Sequence, residues 1–155
     1  MSNKLLELLL KHDFTLAAAE SCTGGLVSAA ITDIPGISQV YQGSVTSYSN
    51  DIKMRLLNVP SDVLLKHGAV SEECAGFMAQ GAAETLQAVC AVSTTGMAGP
   101  GGAVPGKPVG TVCIGYYING RVYTETNHFS GSRSEVRTAA VNRVMARLTE
   151  LLEEL

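Results

Sequence analysis

Three side chains that can act as nucleophiles and two glycines stand in a row in the segment AAAESCTGGLVSA, residues 17–29. They are Ser21, Cys22, Thr23, Gly24 and Gly25. A hydroxyl or thiol can attack a carbonyl or phosphoryl group when a neighbouring base takes its proton. The glycines let backbone N–H groups at a helix start approach a phosphate or an oxyanion closely. The ordinary alternative is that Ser21 only caps the following helix, since serine is common at that position.

The segment matches none of the common glycine motifs. The chain has no G-x-x-x-x-G-K-[ST] sequence, and no G-x-G-x-x-G opens a helix after a strand. Ala19 stands where the G-x-S-x-G turn of serine hydrolases has its first glycine, so that motif is also absent. The reaction class must therefore be inferred from the groups that could assist the nucleophile.

A serine nucleophile needs a base, and no histidine is well placed to provide one. His12 and His67 fall at predicted helix ends and His128 ends a predicted hairpin strand, so capping or surface roles are more common for them. Lys53 lies one turn into a predicted helix that follows a strand, just after Tyr48. A cation is unfavourable in a first turn, so Lys53 is either an ordinary solvated lysine or a group with a specific partner.

To act as a base near pH 7, Lys53 must be neutral. That requires its pKa to fall about three units below the reference value, at a cost of roughly 4 kcal/mol in desolvation. A partly closed, apolar cleft can supply this effect.

Two arginines share one face of the last predicted helix. Arg133 and Arg137 are four residues apart near its start, where the helix dipole and their mutual repulsion disfavour both. An anionic ligand would relieve that cost, and pairing with Glu135 or with solvent would do so equally well.

The elements that must position these groups alternate between helix and strand before a final hairpin and helix. This order predicts an α/β fold, a single layered domain over residues 1–155 with a mixed central β-sheet flanked by helices. Asn119-Gly120 predicts the hairpin turn, and Ser132-x-x-Glu135 predicts the capping box of the last helix. The predicted strands are residues 14–20, 40–49, 88–96 and the two arms of 109–129; the predicted helices are 3–11, 22–34, 50–59, 60–67, 71–87 and 132–155.

Three predicted strand ends carry polar or glycine-rich residues. In open α/β sheets, ligands bind beyond the carboxyl ends of the strands, so we expect these three ends to form one cleft. Thr95, Gly96 and Gly99 thereby join the candidate binding residues. The ends are residues 20–25, 48–50 and 94–102.

The composition limits the class of partner. The net charge of −3, the lack of a basic stripe and the lack of tryptophan argue against nucleic-acid binding. Apolar residues make up 46% of the chain and charged residues only 16%, a balance that leads us to expect a homo-oligomer, such as a dimer.

The cysteines, histidines and apolar runs indicate no metal or membrane. The four cysteines form no C-x-x-C pair and the three histidines are dispersed, so we expect no metal site and reduced thiols in a cytoplasmic protein. The first residues predict a helix rather than a signal peptide, and no uncharged apolar run is long enough to span a bilayer.

Six motifs occur in the order and spacing of the CinA C-terminal domain family: AESCTGG, GSVTSYSNDIKMRLLNV, AVSEECA, TTGMAGPGG, KPVGTV and FSGSRSEVR. The chain resembles this family over residues 5–153, and several members are nicotinamide-nucleotide amidases. Ser44 departs from the second glycine usual there, away from any proposed catalytic group. Some members carry an additional N-terminal nucleotide-cleaving domain, for which we expect no room in 155 residues.

The resemblance implies hydrolysis of the carboxamide of nicotinamide mononucleotide, a small pyridine nucleotide, to nicotinate mononucleotide and ammonia, with no cofactor. It implies that Ser21 attacks, that Lys53 is its base and that the Tyr48 hydroxyl relays or orients. Thr95 would contact the nucleotide or the reacting amide. One arginine of GSRSEVR, residues 131–137, would hold the phosphate.

Under the same resemblance, the backbone N–H groups of Cys22 and Thr23 are candidate oxyanion donors. A second hypothesis is a nucleotide-binding module that uses the same loops and arginines without catalysis. A serine–lysine peptidase is a third, disfavoured by the lack of an obvious extended groove.

Overall fold

Helices and strands alternate along the first two thirds of the chain, and a hairpin and a long helix complete it. The computed structural model describes residues 2–155. The elements are α1 Ser2–His12, β1 Leu16–Glu20, α2 Leu26–Thr32, a 3₁₀ turn Ile37–Gln39, β2 Tyr41–Thr46, α3 Asn50–Leu57, α4 Ser61–His67, α5 Glu72–Thr85, β3 Cys90–Gly96, β4 Thr111–Ile118, β5 Arg121–His128 and α6 Arg133–Glu153.

The five strands form one mixed sheet in the order β2-β1-β3-β4-β5. The interior strand β1 is parallel to both β2 and β3, and β4 and β5 continue the sheet in antiparallel register. Glu20, the last residue of β1, lies opposite Thr46 of β2 and Thr94 of β3. The carboxyl ends of the three parallel strands therefore meet at one edge, and the predicted α/β fold with a mixed sheet is confirmed.

Helices cover both faces of the sheet, which explains why β1 is apolar throughout. Leu16 and Ala18 pack into a core with α1, α2 and α6, whereas Ala17 and Ala19 face a second core with α3 and α5. A strand buried on both faces needs apolar side chains at every position. The helices of the second core approach closely, since a Cβ at Gly81 would lie 2.0 Å from the Leu57 carbonyl oxygen.

The predicted capping box of α6 and the predicted hairpin turn are observed. Ser49, Ser71 and Ser132 cap α3, α5 and α6 through side-chain oxygens that accept backbone N–H groups, and the Ser132 cap is a full capping box. Asn119 and Gly120 have φ values of 47° and 92°, as a tight hairpin turn requires.

The prediction that a helix begins at residue 22 is wrong, because α2 begins only at Leu26. Residues 21–25 form a turn in which Gly24 and Gly25 have φ values of 57° and 111°, outside the right-handed helical region. Gly25 occupies the N-cap position without a side-chain hydrogen bond, so Ser21 does not cap this helix. We call residues 21–25 the nucleophile turn.

Candidate active site

The hydroxyl of Ser21 and the amine of Lys53 are in direct contact. Lys53 Nζ lies 3.0 Å from Ser21 Oγ, within hydrogen-bond distance. The Ser21 backbone N–H donates to the Thr94 carbonyl over 3.0 Å, so the strand geometry of β1 fixes the backbone that carries this hydroxyl. Ser21 is 8% exposed and Lys53 only 1% exposed. The two side chains form a buried serine–lysine pair.

Burial sets the charge preference of Lys53. Its Nζ also donates to the carbonyl oxygens of Ser47, over 2.9 Å, and Tyr48, over 3.2 Å. The partners of the amine are therefore neutral oxygens, and no carboxylate among residues 2–155 forms an ion pair with it. Burial accordingly lowers the pKa of Lys53 from its ordinary value of 10.5. The lowered pKa makes the neutral amine, whose lone pair can accept the proton of Ser21, more accessible than in an exposed lysine.

The cap of α3 explains the position of Lys53. Ser49 Oγ accepts the N–H of Ile52 over 3.2 Å, and the Ser49 carbonyl accepts the N–H of Lys53. The helix therefore starts immediately after the β2 strand end, and its first turn directs Lys53 toward the end of β1.

The thiol of Cys22 is buried and poorly ionised. Cys22 is 8% exposed, and burial raises the pKa of its thiol to about 11. A thiolate is the nucleophilic form of cysteine, so this thiol is a weak nucleophile near neutral pH.

If Ser21 is the attacking residue, we expect Cys22→Ala to retain most of the catalytic turnover of the parent protein. The substitution removes a thiol that is not ionised and leaves the backbone of the nucleophile turn in place. Steady-state turnover of the parent and the variant, each before and after treatment with iodoacetamide, measures the effect. An inactive but folded Cys22→Ala protein would contradict the choice of Ser21 as the attacking residue.

A cleft of about 270 Å³ opens above the serine–lysine pair at the edge where the parallel strands end. Its walls come from the residues that follow β1, β2 and β3 and from the start of α6. Eight residues predicted for the site line it: Ser21, Cys22, Tyr48, Lys53, Thr95, Gly96, Gly99 and Arg133.

The other four predicted residues are not among those that line the cleft: Thr23, Gly24, Gly25 and Arg137. Thr23, with 0% exposure, turns its hydroxyl toward Glu20 and Thr94, over 2.6 Å and 2.7 Å. Gly24 and Gly25 shape the turn, and a Cβ at Gly24 would lie 3.2 Å from Arg137 Nη2. Thr23, Gly24 and Gly25 contribute to the site through the backbone of the turn that carries Ser21.

Tyr48 and Arg133 meet across the rim of the cleft. Arg133 Nη1 donates to the Gly99 carbonyl over 2.7 Å, and Nη2 lies 3.4 Å from the Tyr48 hydroxyl. The side chain of Tyr48 is exposed, at 65%, and its carbonyl rather than its hydroxyl is the partner of Lys53. Arg133 is exposed and lines the cleft, so its guanidinium can also reach a ligand there.

The two arginines that the sequence treated alike have different surroundings. Arg137 Nε donates to the Cys22 carbonyl over 3.0 Å, and its Nη2 donates to the Thr23 carbonyl over 3.1 Å. Arg133 faces the cleft, and Arg137 holds the nucleophile turn.

Thr95 faces the cleft while its hydroxyl donates to the Ala69 carbonyl over 2.8 Å, which ties β3 to the loop before α5.

The histidines lie outside this cleft. His67 ends α4 and is 3.8 Å from Glu73, and His128 contacts Thr111 at the end of β5. Among residues 2–155, no cluster of His, Cys, Asp and Glu side chains has a geometry suited to a metal ion. None of the helices in this range has the length and apolarity needed to cross a bilayer.

The sequence reasoning missed the structural roles of Glu20, Ser47 and Thr94. Glu20 is fully buried at the end of β1, and its carboxylate accepts three hydrogen bonds from the nucleophile turn and the start of α2. Ser47 and Thr94 contribute carbonyl oxygens that hold Lys53 and Ser21. A charged residue directly after three alanines was the available signal for Glu20, since buried charges require partners.

Comparison with known proteins assigns the chain to a family. The family model described as the CinA C-terminal domain matches residues 1–152. A putative competence-damage inducible protein of Clostridioides difficile is 44% identical over 155 residues, all of this chain and 37% of that protein. A CinA-like protein of Dictyoglomus thermophilum is 46% identical over 133 residues, 86% of this chain and 32% of that protein. The chain spans about a third of the length of these curated relatives.

Solved structures show the same architecture. A competence-damaged protein (CinA) superfamily protein from Klebsiella pneumoniae superposes with a TM-score of 0.95 at 32% identity, covering 99% of this chain and 96% of that one. One from Escherichia coli gives a TM-score of 0.93 at 34% identity, covering 97% and 87%. The sequence match and the shared fold agree, and the chain belongs to the CinA C-terminal domain family.

Proposed function

We propose that the protein is an amidase that hydrolyses the carboxamide of nicotinamide mononucleotide to nicotinate mononucleotide and ammonia. The contact of 3.0 Å between Lys53 Nζ and Ser21 Oγ, inside a cleft at the strand ends, carries this proposal. A serine hydroxyl with a buried amine as its base is an arrangement suited to acyl transfer. The pyridine nucleotide comes from the resemblance of the chain to nicotinamide-nucleotide amidases.

In the first half of the reaction, Ser21 Oγ attacks the carboxamide carbon and its proton passes to Lys53 Nζ. The backbone N–H groups of Cys22 and Thr23 stabilise the negative charge that develops on the carbonyl oxygen. The C–N bond then breaks while Lys53, now an ammonium, returns the proton to the departing nitrogen. Ammonia leaves, and the nicotinoyl group remains as an ester on Ser21.

In the second half, water attacks the ester carbon and gives a proton to Lys53. The ester C–O bond breaks and Ser21 Oγ recovers that proton, which releases nicotinate mononucleotide. Lys53 ends each half in its neutral form, the form that its burial favours.

The rim of the cleft provides groups for the rest of the substrate. Arg133 presents a guanidinium whose planar fork suits a phosphate. Tyr48, hydrogen-bonded to Arg133 in this structure, stands where its hydroxyl could orient a ligand held by that arginine.

We expect Arg133→Ala to raise the KM for nicotinamide mononucleotide by about 10- to 100-fold, because this is the range expected for the loss of one charge-assisted hydrogen bond. The KM for the corresponding nucleoside, which lacks the phosphate, should change much less. Initial rates on both substrates at several concentrations measure the difference. Equal losses on nucleotide and nucleoside would remove the phosphate from the role of Arg133.

The direct test of the function is incubation of the protein with nicotinamide mononucleotide and measurement of ammonia and of the acid product. Release of both at equal rates, abolished in Ser21→Ala, is the expected result. Tight binding of the nucleotide without release of ammonia would instead support the non-catalytic nucleotide-binding module.

A further inference from the structure

The nucleophile turn is held from two sides by charged side chains that lie behind the cleft. On one side, Glu20 has 0% exposure at the end of β1. Its Oε1 accepts the Thr23 hydroxyl over 2.6 Å and the N–H of Val27 over 2.8 Å, and its Oε2 accepts the N–H of Ser28 over 3.0 Å. These bonds supply the acceptors that Gly25, without a side chain, cannot offer to the start of α2.

On the other side, Arg137 reaches the turn from α6. Its Nε and Nη2 donate to the carbonyl oxygens of Cys22 and Thr23 over 3.0 Å and 3.1 Å. Two charge-assisted bonds from one planar guanidinium fix both the distance and the orientation of the peptide groups that they engage.

The orientation of these peptides determines where their N–H groups point. The Cys22 carbonyl and the Thr23 N–H belong to one planar trans peptide and point in opposite directions. Arg137 therefore directs the Thr23 N–H away from itself. The Ser21 carbonyl, which accepts the Gly24 N–H over 3.1 Å, fixes the Cys22 N–H in the same way. Within residues 2–155, neither the Cys22 nor the Thr23 N–H donates to another residue.

Unpaired backbone N–H groups in a buried turn are rare, because each one costs the free energy of a lost hydrogen bond. The Cys22 N–H interacts only with its own Sγ, and the Thr23 N–H has no acceptor in another residue of the range 2–155, so these two groups beside Ser21 are the donors left for a ligand. The positive charge of Arg137 on the Cys22 carbonyl also polarises that peptide, which strengthens its N–H as a donor.

Glu20 also connects the turn to the base. Its backbone carbonyl accepts the N–H of Ser47 over 2.7 Å, and the Ser47 carbonyl accepts a hydrogen bond from Lys53 Nζ over 2.9 Å. One residue thus contacts, through side chain and backbone, the segments that carry both the nucleophile and the base.

We propose that Glu20 and Arg137 are positioning residues that hold the nucleophile turn with its free N–H groups toward the reacting carbonyl oxygen. Arg137 is then not the phosphate ligand, and Arg133 alone has that role. This inference rests on the proposed serine mechanism and adds to it the residues that align its oxyanion donors.

Three variants test the proposal. Glu20→Gln places an amide donor against the N–H groups that the carboxylate accepts. Arg137→Met removes the charge at similar length, and Arg137→Lys keeps the charge but loses the planar fork. Glu72→Gln is the matched control, since the Glu72 carboxylate likewise accepts side-chain hydrogen bonds, from two threonine hydroxyls, but lies in the first turn of α5 away from the cleft.

The first readout is the kinetics with nicotinamide mononucleotide and its nucleoside. We expect kcat to fall about tenfold or more on both substrates in all three variants. This loss is smaller than the loss caused by removing an oxyanion donor completely, because the donors are misaligned but still present. The KM should change little. A KM that rises for the nucleotide alone, at unchanged kcat, in the Arg137 variants would overturn the proposal and return Arg137 to the phosphate.

The second readout is independent of the substrate. Phenylmethylsulfonyl fluoride labels a reactive serine: Ser21 Oγ bonds to sulfur, the S–F bond breaks, fluoride leaves and the proton goes to Lys53. Intact-mass spectrometry gives the rate, which should fall with kcat in the three variants and stay at the parent value in Glu72→Gln. Labelling at the parent rate in folded Glu20→Gln and Arg137→Met would overturn the proposal.

The two readouts separate the positioning role from the amidase function. A parent protein that is labelled at Ser21 but releases no ammonia would refute the amidase, and the labelling rates of the variants would still decide the positioning role. A parent protein that does neither would overturn both. If Glu20→Gln fails to fold by circular dichroism, the folded Arg137→Lys protein decides the outcome.

Discussion

Replacing Ser21 with alanine should abolish amidase activity while leaving substrate binding intact. The change removes the hydroxyl that is 3.0 Å from Lys53 Nζ, and the neighbouring Cys22 thiol is a poor replacement, because it is buried with a raised pKa. By comparison with other serine hydrolases, turnover should fall by about 10⁴-fold or more. Ammonia release measures the loss, and isothermal titration with the nucleotide should give an unchanged affinity.

The control for this variant is Ser38→Ala, an exposed serine in the 3₁₀ turn. It should retain full activity. If Ser21→Ala kept more than about a hundredth of the parent rate, far above the residual activity of serine hydrolases that lack their nucleophile, the covalent mechanism proposed for this chain would be wrong.

Replacing Lys53 with methionine or arginine should be nearly as damaging. Methionine fills similar volume without a basic nitrogen, and arginine keeps the charge but does not release its proton at usable pH. Both remove the acceptor for the Ser21 proton, and we expect kcat to fall by about 10³-fold or more, within the range for loss of a general base. Lys66→Met, in an exposed position of α4, is the control.

The pH dependence gives the same test without a mutation. Lys53 is active as a base only when neutral, so kcat/KM of the parent protein should rise with pH through the pKa of this amine. Burial lowers that pKa, so the midpoint should lie below 10.5. The rise should disappear from any residual activity of Lys53→Met. A pH profile that persists unchanged in this variant would assign the base to another residue.

The sequence alone determined the layout of the fold and the segments from which the site is built. Capping serines, the Asn-Gly turn and an apolar strand suited to burial on both faces are local signals, and each depends on residues close together in the chain. They predict the α/β class and place three polar strand ends at one edge of the sheet. The motifs AESCTGG and TTGMAGPGG contributed to the family resemblance. That resemblance implied Ser21 as the nucleophile and Lys53 as its base.

Only the tertiary structure shows which of the predicted site residues face the cleft and which of them position the residues that face it. Arg133 and Arg137 are on one helix with the same charge, and nothing in their spacing separates a group facing the cleft from one bonded to the Cys22 and Thr23 carbonyls. The start of α2 also escaped prediction, since Glu20, not Ser21, supplies the acceptors there. The place of Arg137 depends on a contact between segments more than 100 residues apart. The suitability of Lys53 as a base depends on its burial, because the lowered pKa is a property of the packed cleft and not of the residue type.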